Sequence, residues 1–278
     1  MTIRIGIDTG GTFTDVVAVH PDGRVMSTKV PSTPADPSAA FMRAIEKAST
    51  DEIAEVVHGT TVATNALLED DFEGLGFVTT KGFRALLEIG RQSVPDSYGN
   101  SYFWVKPDRI VPLHLVREVE ERLDRTGAVI REFDEDGARA VARWFREQGI
   151  ACVGVCFLHS YMNPEHERRM RAVLADEHPD CTVSLSSDVL SEYREYERSV
   201  TTLVDAFVKP RVAAYARAIS ERLPAHRPPF YIMKSNGGVI AGRGNPSSRP
   251  CASSSSSCRR PSSSSSCRAS ARTDSAGG

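Results

Sequence analysis

Asp8-Thr9-Gly10-Gly11-Thr12-Phe13-Thr14-Asp15 is the stretch that decides the fold. It is flanked by Ile3 to Ile7 and Thr14 to Val19, which alternate or run apolar as strands do. The octet therefore reads as a tight turn between two strands. Adjacent glycines permit positive φ and let backbone N–H groups approach an anion without a Cβ in the way. Thr12 and Thr14 add hydroxyl donors suited to phosphate oxygens. Asp8 leaves a buried strand where it can hold a hydrated Mg²⁺ that bridges phosphates, and Asp15 supplies a second carboxylate. A plain Gly-Gly hairpin is the competing reading. The paired Thr and paired Asp favour the phosphate cradle, with Asp8 and Asp15 as its catalytic carboxylates. Neither Gly-x4-Gly-Lys-Ser/Thr nor Gly-x-Gly-x-x-Gly occurs.

Outward from the octet, His20-Pro-Asp-Gly23 marks a turn and Arg24 to Val30 a third strand. A helix is expected from Asp36 or Pro37, with Phe41, Ala44, Ile45 and Ala48 on one face. Strands at Val56-Val57 and Leu75–Thr79 then alternate with helices at Thr61–Glu69 and Phe83–Ile89. Asp134 can cap a helix over Asp136–Gln148, and Asn163-Pro164 can open another. The strands Ala151–Leu158 and Cys181–Leu185 surround that second helix. A long helical pattern follows over Ser199–Leu223, open to interruption at Pro210. The rhythm predicts an α/β fold whose mixed sheet is opened by antiparallel hairpins.

Composition narrows the function. The 278 residues carry a net charge of −2, which argues against general nucleic-acid binding. The longest apolar strand-like run, Ala151–Leu158, is far below the roughly 20 residues of a membrane span. Asp8 interrupts the N-terminal apolar stretch before a signal peptide can form. A soluble, cytoplasmic protein is expected, with no nucleic-acid or membrane partner. Cys152 and Cys156 share one face of a strand and read as core residues rather than as a metal pair.

Residues 241–278 differ from everything before them. They hold no Leu, Ile, Val, Met, Phe, Tyr or Trp, and 14 of the 38 are Ser. Such a segment cannot offset its ordering entropy and is expected to be disordered. It reads either as a natural Ser/Arg-rich tail or as the product of a reading-frame slip in a GC-rich gene. The abrupt change after Ile240 favours the slip.

The octet resembles the first phosphate hairpin of the actin/Hsp70/sugar-kinase superfamily of ATPases. More narrowly, residues 3–240 resemble the N-terminal region of the hydantoinase A/5-oxoprolinase family. The motifs that carry this are His58-Gly-Thr-Thr-Val-Ala-Thr-Asn-Ala-Leu-Leu-Glu69, Thr79-Thr-Lys-Gly-Phe-Arg84 and Glu88-Ile-Gly-Arg-Gln92. Asn163-Pro-Glu-His-Glu167, Glu195-Tyr-Glu-Arg198 and Ser235-Asn-Gly-Gly238 follow in the same order. Ala85 stands where the family often has Asp.

The resemblance implies a ribonuclease-H-like sheet with an incomplete second lobe, because the family's second Asp-x-Gly-Gly-Thr motif is missing. It divides the chain into 1–107 with the phosphate hairpin, 108–198 as the rest of the N-terminal region, 199–240 as the truncated start of the hydantoinase A domain, and the tail 241–278. It implies ATP and Mg as cofactors, a cyclic amide such as a hydantoin or 5-oxoproline as substrate, and a hydantoinase B-type partner subunit. ATP would phosphorylate the amide oxygen and water would open the ring, although this chain alone is expected to be inactive. Ketone carboxylation, a sugar or small-metabolite kinase and a non-catalytic assembly module are the alternatives. His58, Thr60, Thr61, Asn65 and Arg91 are the candidate substrate contacts. Against this, His58 can be a structural histidine, Thr60 or Thr61 a helix cap, and Arg91 the partner of a surface carboxylate. His166-Glu167 reads as a helix first turn and Glu192, Glu195 and Glu197 as a solvated face.

Overall fold

The structure, a computed structural model, describes residues 2–33, 36–48, 52–69, 72–91, 109–223, 228–234 and 237–242. The expected tail from residue 243, Gln92 and the Ser235-Asn236 pair lie outside these residues. In chain order the strands are β1 (Thr2–Thr9), β2 (Phe13–Val19), β3 (Val25–Pro31), β4 (Glu52–Thr60), β5 (Leu75–Thr80) and β6 (Val116–Val119). They continue with β7 (Arg122–Leu123), β8 (Val129–Arg131), β9 (Cys152–Cys156), β10 (Thr182–Leu185), β11 (Phe230–Met233) and β12 (Val239–Ala241). The helices are α1 (Pro37–Ala48), α2 (Val62–Glu69), α3 (Leu86–Ile89), α4 (Glu135–Glu147), α5 (Glu165–Glu177), α6 (Ser186–Val189) and α7 (Glu195–Arg222).

Two sheets share the work. The first is mixed, in the order β12-β11-β4-β1-β2-β3. Its antiparallel β1-β2-β3 meander is extended by β4 and β11, each parallel to its inner neighbour. Alternation puts Ile3, Ile5 and Ile7 of β1 and Val16 and Ala18 of β2 on one face. The stripe Phe41, Ala44, Ile45 and Ala48 of α1 covers that face, together with Tyr215, Ile219 and Leu223 from the end of α7.

The second sheet, β10-β9-β5-β6, is parallel throughout. Every residue of β5 and β9 is buried, as expected of strands covered on both faces. Phe145 of α4 and Met170 and Leu174 of α5 pack on one side. Leu203, Ala206 and Phe207 of α7 pack on the other, with Cys152 and Cys156 in that core. The strands before and after residue 107 thus share one sheet.

Three local outcomes differ from the sequence reading. The helix expected from Phe83 begins only at Leu86, because the Glu118 carboxylate accepts the N–H groups of Gly82 and Arg84 at 2.7 and 2.9 Å and holds that segment in a turn. Helix α7 starts four residues earlier than expected and runs through Pro210 without a break. Next to the proline, the Arg211 guanidinium donates to Phe207 O at 3.1 Å, which serves a carbonyl where the ladder is disturbed. The third is β7–β8, a hairpin the pattern did not show. Asp134 does cap α4, accepting from Gly137 N at 3.1 Å. Among the described residues no helix is long and apolar enough to cross a membrane.

Candidate functional site

The octet forms the turn between β1 and β2. Gly10 N–H donates to Phe13 O at 3.0 Å and closes it. Ser32, just past β3, fixes it from outside. Its N–H donates to Thr12 O at 2.9 Å, and its hydroxyl donates to Gly10 O at 2.8 Å. With that hydrogen committed, Ser32 Oγ accepts from Thr14 Oγ1 at 3.0 Å. The sequence reading missed Ser32, which lies 22 residues from Gly10.

These bonds correct two expectations. Neither Gly10 nor Gly11 has a positive φ, and it is Gly10 that serves the turn by lacking a Cβ rather than by left-handed backbone. Gly10 could not carry one freely, since a Cβ would lie 3.2 Å from Phe13 O, whereas one on Gly11 would project into open space. Thr14 is fully buried with its hydroxyl turned toward Ser32, so it supports the turn and offers no donor to a phosphate. Gly11 and Thr12 are exposed at the tip.

Asp8 and Asp15 are register partners on β1 and β2, and both point away from the core. Lys29 of β3 reaches Asp15 at 3.2 Å. On the other side of Asp8 lies Gly59 of β4, its register partner in the parallel pair. A Cβ at Gly59 would sit 2.9 Å from Asp8 Oδ1, so the glycine clears the space the carboxylate uses. Two exposed carboxylates of neighbouring strands beside such a clearing are hard oxygen donors, and they fit a Mg²⁺ that keeps most of its waters.

His58 faces the opposite way. It is fully buried among Phe41, Tyr215 and Phe230. Ile7 O can only accept, so Nδ1–H donates to it at 3.1 Å, and Nε2 accepts from the Tyr215 hydroxyl at 2.7 Å. Both ring nitrogens are occupied, and burial pushes the imidazole down to about 4. The structure thus places His58 as a strut between β1, β4 and α7, away from the exposed carboxylates.

Thr60 and Thr61 join β4 to α2. The Thr60 hydroxyl accepts from Val62 N at 3.3 Å, and Thr61 returns to Thr9 O through its N–H at 3.4 Å and its hydroxyl at 3.3 Å. Both therefore stand beside the turn. Asn65 is half-buried one turn into α2. Arg91 is elsewhere: its Nε and Nη2 hold Glu197 of α7 at 2.7 and 2.5 Å.

A second polar cluster, also missed, lies at the carboxyl ends of the parallel strands. Glu121 is buried, accepting from Thr80 Oγ1 and from His166 Nδ1 at 2.8 Å. Glu167 is buried too, accepting from Phe157 N at 3.0 Å, Ser186 Oγ at 2.6 Å and Ser187 N at 2.9 Å. Arg198 Nη2 donates to Phe157 O at 2.6 Å. The motifs Asn163–Glu167 and Glu195–Arg198 were the available signal, and of their polar residues His166, Glu167 and Arg198 turn inward.

Known proteins are similar to this chain over most of its length. The model of the hydantoinase/oxoprolinase N-terminal region matches residues 4–178, and the hydantoinase/oxoprolinase model matches residues 198–256. The chain is 34% identical over 252 residues to the caprolactamase subunit alpha of Pseudomonas jessenii, covering 86% of this chain and 36% of that one. It is 33% identical over 275 residues to 5-oxoprolinase 1 of Arabidopsis thaliana, covering 85% of this chain and 21% of the relative. Among solved structures, nucleotide-free acetone carboxylase superposes with a TM-score of 0.77 at 25% identity, over 87% of this chain and 38% of that one. The chain thus spans between 21% and 38% of the length of these relatives.

Proposed function

We propose, from the premise that this chain belongs to the hydantoinase/oxoprolinase family, that it is the phosphate-gripping part of an enzyme that uses ATP to hydrolyse a cyclic amide. The observation that carries the reading is the pair Asp8 and Asp15, side by side on the uncovered sheet face next to the Gly10-Gly11 turn and the Gly59 clearing. A strand order of β3-β2-β1-β4 with β2 antiparallel supports a ribonuclease-H-like lobe of the actin/Hsp70/sugar-kinase type. The dependence on ATP named for the caprolactamase and for acetone carboxylation supports the nucleotide.

Each residue then has a task. Gly11 and Thr12 meet phosphate oxygens at the exposed tip, while Ser32 and Thr14 keep the turn from yielding. Asp8, with Asp15 beside it, would hold Mg²⁺ through water. That ion would offset phosphate charge. Thr60 and Thr61 anchor the start of α2 against Thr9, at the strand ends where open α/β sheets take ligands. An unstrained lactam resists water because its resonance must be broken. Transfer of the γ-phosphoryl group to the amide oxygen, with ADP leaving, turns that oxygen into an electron sink. Water then adds to the carbon, the tetrahedral intermediate expels the ring nitrogen, which takes up a proton, and a second water hydrolyses the acyl phosphate left behind to carboxylate and phosphate.

The relative-length protein, with a B-type partner subunit, is the form in which this activity is expected. Mg·ATP hydrolysis stimulated by 5-oxoproline, a hydantoin or caprolactam is the supporting result. A rate unchanged across cyclic amides and ketones sinks the reading. The similarity to acetone carboxylase favours one second reading, ATP-dependent ketone carboxylation, which a bicarbonate requirement with acetone would reveal.

A further inference from the structure

The cluster at the carboxyl ends of the parallel strands takes no part in the phosphate chemistry above, and Arg198 within it is incompletely served. The residue is fully buried. Its Nη2 is bonded to Phe157 O, but Nε and Nη1, which carry one and two N–H bonds, have no hydrogen-bond partner among the described residues. A buried guanidinium usually has a carboxylate opposite it. The two buried carboxylates of the cluster, Glu121 and Glu167, are held by Thr80 and His166 and by Phe157, Ser186 and Ser187.

The segment after β9 closes over this point. His159 bends it with φ of 60°, in the left-handed region that side chains rarely enter. The half-buried Tyr161 ring then stands 5.4 Å from the guanidinium carbon. Burial, then Arg122 and Arg198, hold the His159 imidazole below its ordinary range, so two cations and this ring share one locality.

We propose that Arg198 anchors a binding site for a small oxyanion, carboxylate or phosphate, at the carboxyl end of the parallel sheet and beneath Tyr161. Strand carboxyl ends are where open α/β sheets receive ligands, and the planar guanidinium matches both oxyanions. The ligand satisfies the donors that the protein leaves unpaired, and Tyr161 moves aside to admit it. The site is on the other sheet from Asp8 and does not depend on the nucleotide reading.

The test uses the full chain without nucleotide, titrated with sodium acetate, sodium phosphate or sodium chloride at matched ionic strength. Thermal unfolding and the Arg198 Nε–H resonance of ¹⁵N-labelled protein are followed together. A saturable rise in midpoint with acetate, phosphate or both, beyond that with chloride, supports the site and identifies its ligand chemistry. It must be accompanied by a saturable Nε–H shift and be lost in Arg198→Gln. Tyr161→Ala should lower the half-saturating concentration severalfold. If Arg198→Gln fails to fold, the wild-type resonance decides alone. A resonance unmoved by either oxyanion, or a midpoint response retained in a folded Arg198→Gln, overturns the proposal and leaves the donors to water.

Discussion

Asp8 and Asp15 face each other across the β1–β2 pair on the side of the sheet that α1 and α7 do not cover. Like charges directly opposite on a sheet destabilise it by roughly 0.2–1 kcal/mol, and Lys29 relieves only the Asp15 side. The arrangement is therefore costly without a cation. Asp8→Asn and Asp15→Asn should each raise metal-free stability by up to about 1 kcal/mol in urea melts. Both should remove any Mg²⁺-dependent stabilisation. A loss of metal-free stability in both variants would contradict the cation role.

Gly59→Ala tests the clearing beside Asp8. The added methyl would lie 2.9 Å from Asp8 Oδ1, at the movable end of a side chain. Folding should suffer by less than about 1 kcal/mol, because the carboxylate can rotate away. Mg·ATP affinity of the relative-length protein should fall about tenfold, about 1.4 kcal/mol, as titration calorimetry would show. Unchanged affinity would mean that the carboxylate position is irrelevant.

Ser32→Ala removes the hydroxyl that joins Gly10 O to Thr14 Oγ1. The buried Thr14 hydroxyl is left without its acceptor, so a cost of about 1–3 kcal/mol is expected in denaturant unfolding. Faster amide exchange at Gly10 and Ser32, whose N–H groups bond Phe13 O and Thr12 O, should accompany it. Thr14→Val should cost similarly and leave phosphate contacts at the tip in place, whereas Thr12→Ala should barely change stability.

His58 gives stability a pH dependence with a defined sign. Its folded-state value is pushed down to about 4 from 6.5, so between these pH values the unfolded chain binds more protons. The contribution is complete above pH 6.5 and is lost as pH falls toward 4. It amounts to about 3 kcal/mol at most. His58→Gln should flatten the stability curve across pH 4–6.5 relative to wild type. Parallel curves would show that the ring is not neutral in the folded state.

Local chemistry was readable, and long-range chemistry was not. The α1 stripe, the Asp134 cap and the β1–β2 turn depend on neighbours in sequence, and each was seen. Thr14 was misjudged although strand parity held the answer: if Asp15 faces outward, its neighbour must face the core. Ser32 could not be found, since its partners are fixed only when β3 pairs with β2. His166 and Glu167 were read as a helix first turn and no more, because nothing local reveals that Glu121, Phe157 and Ser186 will meet them. Arg91 met Glu197 across 106 residues, the outcome its surface-carboxylate alternative described.

Helix α7 is a single rod of about 40 Å whose first turn holds Arg198 and whose later turns carry Tyr215. Tyr215 bears on His58, and His58 on Ile7 O, the carbonyl immediately before Asp8. One continuous element thus joins the Arg198 cluster of the second sheet to the strand that carries Asp8 in the first.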